Sequence, residues 1–152
     1  MKCPSNRPLP PLGRLFMRRQ DADRYEQIGD PAPDISYQTP VTCEKQPVVI
    51  FNSIKWDREG GGGDPDGVYA FNLLTKELTV CVAKDTLTIL EPHIRSWIST
   101  LISLSDDGQT LYVNVAIEKA VVGGGVVHYH LASVTLANNS LKLLSQLKDI
   151  RF

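Results

Sequence analysis

The sequence predicts a mainly β protein with little helix, made of antiparallel four-stranded meander units that resemble one another and pack face to face. Three observations carry this. Runs of β-branched and aromatic residues recur, most clearly Val48-Val49-Ile50-Phe51. Leu111, Val113, Val115 and Ile117 alternate with Thr110, Tyr112, Asn114 and Ala116, the period of two that gives a strand two different faces. Between the runs stand Asp106-Asp107-Gly108 and Asn138-Asn139-Ser140, residues that tolerate the positive φ of tight hairpins.

Taken in order, residues 1–13 hold four prolines. Proline donates no backbone hydrogen bond, so this stretch reads as an extended arm ahead of a single β domain over 14–152. Leu15–Arg19 and Arg24–Ile28 form a hairpin across 20–23, with a short helix opened by Leu15, Phe16 and Met17 as the alternative. Gly29-Asp30-Pro31-Ala32-Pro33 then acts as a linker. Strands are expected at Ile35–Gln38, Val48–Trp56, Val68–Leu74 and Leu78–Ala83, within a first unit spanning 34–85. A second unit, 97–152, holds Ile98–Leu104, Leu111–Glu118, Val126–Leu136 and Leu141–Leu147. Asp85–Ser96 is the one later segment suited to a helical turn. Ile98, Ile102 and Leu104 are expected on one side of their strand, and Tyr112 and Val134 on outward faces. Lys142, Lys148, Asp149 and Arg151 place charge on or just after the last strand, which blunts an outer edge against pairing.

The two units share a pattern. Gly67-Val68-Tyr69-Ala70-Phe71-Asn72-Leu73, followed by Glu77-Leu78-Thr79-Val80, is similar to Gly125-Val126-Val127-His128-Tyr129-His130-Leu131, followed by Ser140-Leu141-Lys142-Leu143. The offset drifts from about 58 to about 63 residues, longer than a compact blade repeat, so the excess is assigned to loops.

Composition narrows the function classes. The chain has 152 residues, 42% hydrophobic and 22% charged, enough for one domain with a core. A formal net charge of -1 and no basic stripe give no electrostatic ground for nucleic acid as a partner. Apolar runs such as Val48–Phe51 are too short to span a bilayer, and the start of the chain has no signal-peptide core, so neither a membrane nor secretion is expected. Cys3, Cys43 and Cys81 form no CxxC pair and are odd in number, which argues against a disulfide framework and against zinc, and suits a reducing, cytoplasmic setting.

Ser105, Asp107, Gly108, Leu111, Tyr112 and Val113 carry a resemblance. They follow the turn-and-strand pattern of the blade repeat in lactonase-like and TolB-like β-propellers, with Asp106 where those repeats usually carry proline. The match covers about a third of the chain well, and two-thirds if the first unit is counted. It implies a fold and no particular activity, since such propellers include enzymes, receptors and scaffolds. Four or more blades normally close a ring, and this chain has room for about two.

In an antiparallel meander, alternate connections emerge at the same end. The short turns Leu74–Glu77, Asp106–Gly108 and Asn138–Ser140 fall at one end. The longer connections Asp57–Asp66, Asp85–Ser96 and Glu118–Gly125 fall at the other, where loops on a rigid scaffold usually bind. Asp57, Glu59, Asp64 and Asp66 flank a glycine run that suits a solvated loop. Its carboxylates could meet a hard cation, but the spacing is neither an EF-hand nor a P-loop. His93 and Arg95 lie in the neighbouring connection, suited to an anion or to acid–base chemistry. Trp56 and Trp97 border the long loops as lids or anchors. His128 and His130, two apart on a strand, lack a third ligand nearby in sequence.

These residues point to an interaction or ligand-binding module that uses its long-loop end, with no catalytic residue, metal ligand or cofactor assigned. The expected partner is a second copy of the chain, held through sheet faces, with another protein or a small molecule as the alternative. Two other readings stand beside it. One is a hydrolase of the lactonase-like kind, with an acidic-loop metal site or a His93-centred site. The other is an inactive remnant of a longer propeller.

Overall fold

The computed structural model describes residues 13–18, 20–29, 34–57, 63–83, 95–122 and 124–151. Ten strands account for most of them: β1 (Leu15–Met17), β2 (Glu26–Ile28), β3 (Ile35–Cys43), β4 (Gln46–Trp56), β5 (Gly63–Asn72), β6 (Leu78–Ala83), β7 (Arg95–Leu104), β8 (Thr110–Val121), β9 (Gly124–Thr135) and β10 (Ser140–Arg151). Two four-stranded antiparallel meanders, β3-β4-β5-β6 and β7-β8-β9-β10, pack together, and β1 and β2 pair separately. The hairpin alternative for the N-terminal segment therefore holds. The proline arm up to residue 12 and most of the stretch suited to a helical turn, 84–94, lie outside the described residues. Among the described residues, no helix is long and apolar enough to cross a membrane.

The core follows from the alternation. Ile50, Val68 and Val82 of the first sheet meet Leu111, Val113, Val115 and Val134 of the second, all almost fully buried. Each sheet has an apolar face that water would penalise, and covering one with the other removes both. The first sheet also hides its other side. Tyr37, Val49, Phe51 and Phe71 form a second cluster with Ile28, Leu15 and Met17, so the β1–β2 hairpin lies over that face. Phe51 is 0% exposed there, and its ring centroid stands 4.5 Å from that of Tyr37. The molecule thus has three layers, hairpin, sheet and sheet. Gly13 fixes how closely the hairpin docks. Its N–H donates to Ser36 Oγ (2.8 Å), its carbonyl accepts from the Tyr37 N–H (2.9 Å), and a Cβ there would stand 2.7 Å from the Tyr37 carbonyl.

Bulges correct two expectations, and the β8–β9 register corrects two more. β3 runs to Cys43 rather than stopping at Gln38. Pro40 reads as a stop, but it sits on an edge strand within a bulge, where Thr39 and Pro40 together oppose Phe51 and no ladder donor is missed. On β7, Ser99 and Ile102 are extra residues. Ile98, Leu101 and Leu104 therefore pair with Val115, Val113 and Leu111 on the core side. Leu101, not Ile102, is the buried residue: it is 5% exposed against 46%. Val134 faces inward, opposite Leu111, and is fully buried. The β8–β9 connection is also shorter than expected, because the strands pair as far as Val121 and Gly124. On β10, Leu144 and Leu147 are extra residues, so bulges join the lysines in roughening that edge.

The two similar stretches fall on corresponding strands of the two sheets, at different heights along them. Gly67–Leu73 lies on and just after the third strand of its sheet and Gly125–Leu131 on the third strand of the other. Their followers, Leu78–Val80 and Ser140–Leu143, open the fourth strands.

The sheets are joined at their first strands, since β3 lies against β7. Thr39 makes the joint. Its hydroxyl donates to Asn52 Oδ1 on β4 and accepts from the Leu101 N–H on β7 (3.2 Å). It holds φ at 39°, unusual for a β-branched residue and sustained by the bulge around it. A second joint lies at the short-turn end. Gln46 Nε2 donates to the Asp107 carbonyl (2.9 Å), and Cys43 Sγ to that of Asp106 (3.4 Å). The turn there is built internally. Ser105 Oγ donates to Asp107 Oδ1 (2.5 Å) and accepts from the Thr110 N–H (2.9 Å). That hydroxyl, and then the Gln109 N–H, hold the Asp107 carboxyl below its ordinary range.

Two stability measurements test these joints. Thr39→Val keeps the branched Cβ but leaves the Leu101 N–H and the Asn52 carbonyl unpaired, and should cost about 2–3 kcal/mol in urea unfolding. Thr39→Ser, which keeps the hydroxyl, should cost well under half of that, and equal losses in the two variants would refute the role of the hydroxyl. Gly108 has φ of 71°, and a side chain there would collide with the Gln46 amide. Gly108→Val should lower stability by about 1–2 kcal/mol, and an unchanged melting curve would count against a positive-φ requirement.

Candidate functional site

The end of the molecule opposite the Ser105–Gln109 turn is where β4, β6 and β8 finish. Both sheets present it together, because Arg95 at the start of β7 forms a salt bridge with Asp64 at the start of β5, Nη2 to Oδ1 at 2.5 Å. Between the sheets at this end lies a cleft of about 200 Å³, lined by Asn52, Ile54, Gly63, Pro65, Arg95, Trp97, Ile98 and Ser99.

The strands explain the lining. Asn52 and Ile54 share the core-facing side of β4 with Ile50, so they continue the inner face as the sheets run out toward solvent. Asn52 is 3% exposed, and the Thr39 hydroxyl holds its carbonyl oxygen. Gly63 sits opposite Trp56, and its missing side chain makes room for the indole. A Cβ there would stand 2.6 Å from Ile54 Cγ2 and 3.0 Å from the Trp56 ring. The Trp56 Nε1 is buried and meets no acceptor. At the rim the Arg95 guanidinium stands over Trp97, 5.4 Å from the ring centroid, close enough for a cation–π contact. Ser99, the bulged residue, spends its hydroxyl proton on the Asn114 carbonyl (3.2 Å). The cleft therefore has apolar walls, a buried amide inside, and a cation held by a carboxylate and an aromatic face at its mouth.

The structure brings together Trp56, Asp64, Arg95 and Trp97 of the residues singled out from sequence. It does not bring Asp66 to them. Asp66 is the extra residue of a bulge between the Ser53 and Ile54 pairings, and its carboxylate lies on the aromatic side of the sheet. There it accepts from Tyr69 Oη (2.7 Å) and Ser53 Oγ (3.2 Å). Asp57 follows β4 and is exposed. Glu59 and His93 lie outside the described residues, and with them the parts on which an acidic-loop or His93-centred hydrolase would rest. Among the described residues no group of three His, Cys, Asp or Glu could hold a metal. His128 and His130 are half-buried on β9, with His128 Nδ1 3.4 Å from Gln146 Nε2.

Asn52, Ile54, Pro65, Ile98 and Ser99 complete the cleft and were not singled out from sequence. One signal was present. Asn52 interrupts the apolar run Val48–Phe51 and Ile54, and a polar side chain inside a core strand needs a purpose or a partner.

Compared with models of known protein families, with curated proteins and with solved structures, the chain matches none.

The Asp66 cluster has a measurable pH signature. Burial first, and then the hydrogen bond to Asp66, push the Tyr69 phenol up from 10.0 to about 12. The phenol of the unfolded chain ionises near its ordinary value of 10, so the unfolded state sheds that proton first as pH rises. The stabilisation is whole below pH 10 and fades as pH climbs through 12. Urea unfolding across this window should show falling stability, and Tyr69→Phe should remove the share of the slope that belongs to Tyr69. An identical slope in that variant would refute the assignment.

Proposed function

We propose that the chain is a non-catalytic binding module whose ligand seats in the cleft between β4–β5 and β7. The observation that carries this is the cleft itself: an aromatic and apolar recess with few polar groups, the usual make-up of a ligand site. Its lining comes from strands rather than loops, so the geometry is set before a ligand arrives, which lowers the entropy cost of binding.

The arrangement of the sheets supports reading them as two neighbouring propeller-like blades in an open assembly. The first strands, β3 and β7, lie side by side, and each meander runs outward from that seam to β6 and β10. The two similar stretches fall on corresponding third strands, which favours descent from one blade. Self-association through sheet faces belongs to the same reading. The hairpin occupies the outer face of the first sheet, which leaves the second sheet, with exposed Ile102 and Tyr112, as the side for a second copy. A reducing, cytoplasmic setting suits the free Cys43 and Cys81, and burial pushes the Cys81 thiol up, away from the reactive thiolate.

Two measurements test the reading. In amide NMR spectra titrated with a library of small fragments, binders should shift Ile54 and Arg95–Ser99 saturably, and Trp97→Ala should abolish those shifts. Binders that map only to the Ser105–Gln109 end or to the hairpin would overturn the cleft as the site. Sedimentation equilibrium at micromolar concentration should give a mass above 16.8 kDa, and a clean monomer would remove the self-association.

A further inference from the structure

Resting on the cleft as the binding site, we infer that it selects a small monocarboxylate with an apolar or aromatic body. Among the described residues, the side-chain N–H groups free to donate at the cleft belong to Asn52 and Arg95. The Thr39 hydroxyl donates to Asn52 Oδ1, which fixes the amide orientation and leaves Nδ2, a donor only, as the group without a partner among the described residues. Asn52 is 3% exposed and lines the cleft, so its NH2 is placed to donate to an acceptor brought by a ligand. Arg95 spends one N–H on Asp64 and retains the rest of a five-donor fork that matches carboxylate geometry. The acceptor at the rim, the Asp64 carboxylate, is already engaged by Arg95. The Ser99 hydroxyl donates to the Asn114 carbonyl, which leaves its oxygen able to accept but not to donate.

The remaining surface sets the body and the charge of the ligand. Ile54, Pro65, Trp97 and Ile98 offer aliphatic and aromatic contact. A volume of about 200 Å³ is below the range of drug-sized pockets, which restricts the occupant to a single ring or a short branched chain. A cation would face Arg95. A dicarboxylate would set its second charge near Asp64, and like charges in register disfavour a complex. A single carboxylate suits the N–H groups of Asn52 and Arg95 and avoids a second negative charge beside Asp64.

The test uses the full chain and four probes, benzoate, benzamide, benzyl alcohol and succinate, in amide NMR titrations that also follow the Asn52 side-chain NH2. Benzoate should shift that NH2 and Arg95–Ser99, with a dissociation constant about tenfold below that of benzamide, the worth of one charge-assisted contact. Succinate should bind more weakly than benzoate. Arg95→Gln, an exchange at an exposed side chain, should weaken benzoate about tenfold and benzamide by much less. If benzoate, benzamide and benzyl alcohol shift the cleft alike with or without Arg95, the carboxylate preference is overturned and the cleft stands as a site. If no probe shifts any cleft residue, or benzoate maps elsewhere, the preference and the cleft reading fall together.

Discussion

The Thr39 hydroxyl is the contact on which the arrangement of the two sheets turns. Strand pairing holds each meander together, but nothing in a meander fixes where a second one must sit. Apolar burial is non-directional and would accept a range of crossing geometries. A half-buried hydroxyl that donates to Asn52 and accepts from the Leu101 N–H is directional, and it leaves unpaired groups behind if either sheet slides. The bulge at Thr39 and Pro40 exists in the same place because a regular strand would keep that residue in the ladder and not aim it at β7. Strain in one residue is thus exchanged for register between two sheets.

The candidate cleft is a by-product of that seam. Near Thr39 the sheets close on Ile50, Leu101 and Val113. Toward the far end the inner face continues through Asn52 and Ile54, while β7 reaches its bulged Ser99 and then Trp97 and Arg95. Asn52 takes part in both. One end of its amide anchors the sheets and the other faces the opening, so the seam orients the group that a ligand would meet. The Asp64–Arg95 pair is exposed and adds little stability. Its consequence is positional, since it holds the guanidinium over the indole.

Much of this was legible in the chain because strands announce themselves by alternation and turns by glycine, aspartate and asparagine. The order of the eight sheet strands, the N-terminal hairpin and the end that carries Trp56, Asp64, Arg95 and Trp97 all follow from those signals. What alternation cannot show is an inserted residue. Ile98, Leu101 and Leu104 recur every third position because each step contains a bulge, so a strict period of two selects Ile102 instead. The same cause turns Asp66 away from the cleft toward Tyr69, although its neighbour Asp64 remains at the rim. Pro40 conceals the second half of β3 for a related reason, since a local stop signal is overridden by an edge position. Pro65 and Ile54 join the cleft only through the approach of β7, a long-range fact that no local pattern encodes.

The β1–β2 hairpin gives the molecule a closed side. Sheets with two apolar faces form stacks, and a stack continues for as long as its last face stays apolar and bare. Here Leu15, Met17 and Ile28 occupy the face made by Tyr37, Phe51 and Phe71, and the hairpin shows Phe16, Tyr25 and Glu26 to the outside. Any further layer on that side would first have to displace the hairpin, and with it the Gly13 contacts to Ser36 and Tyr37 that tie it down.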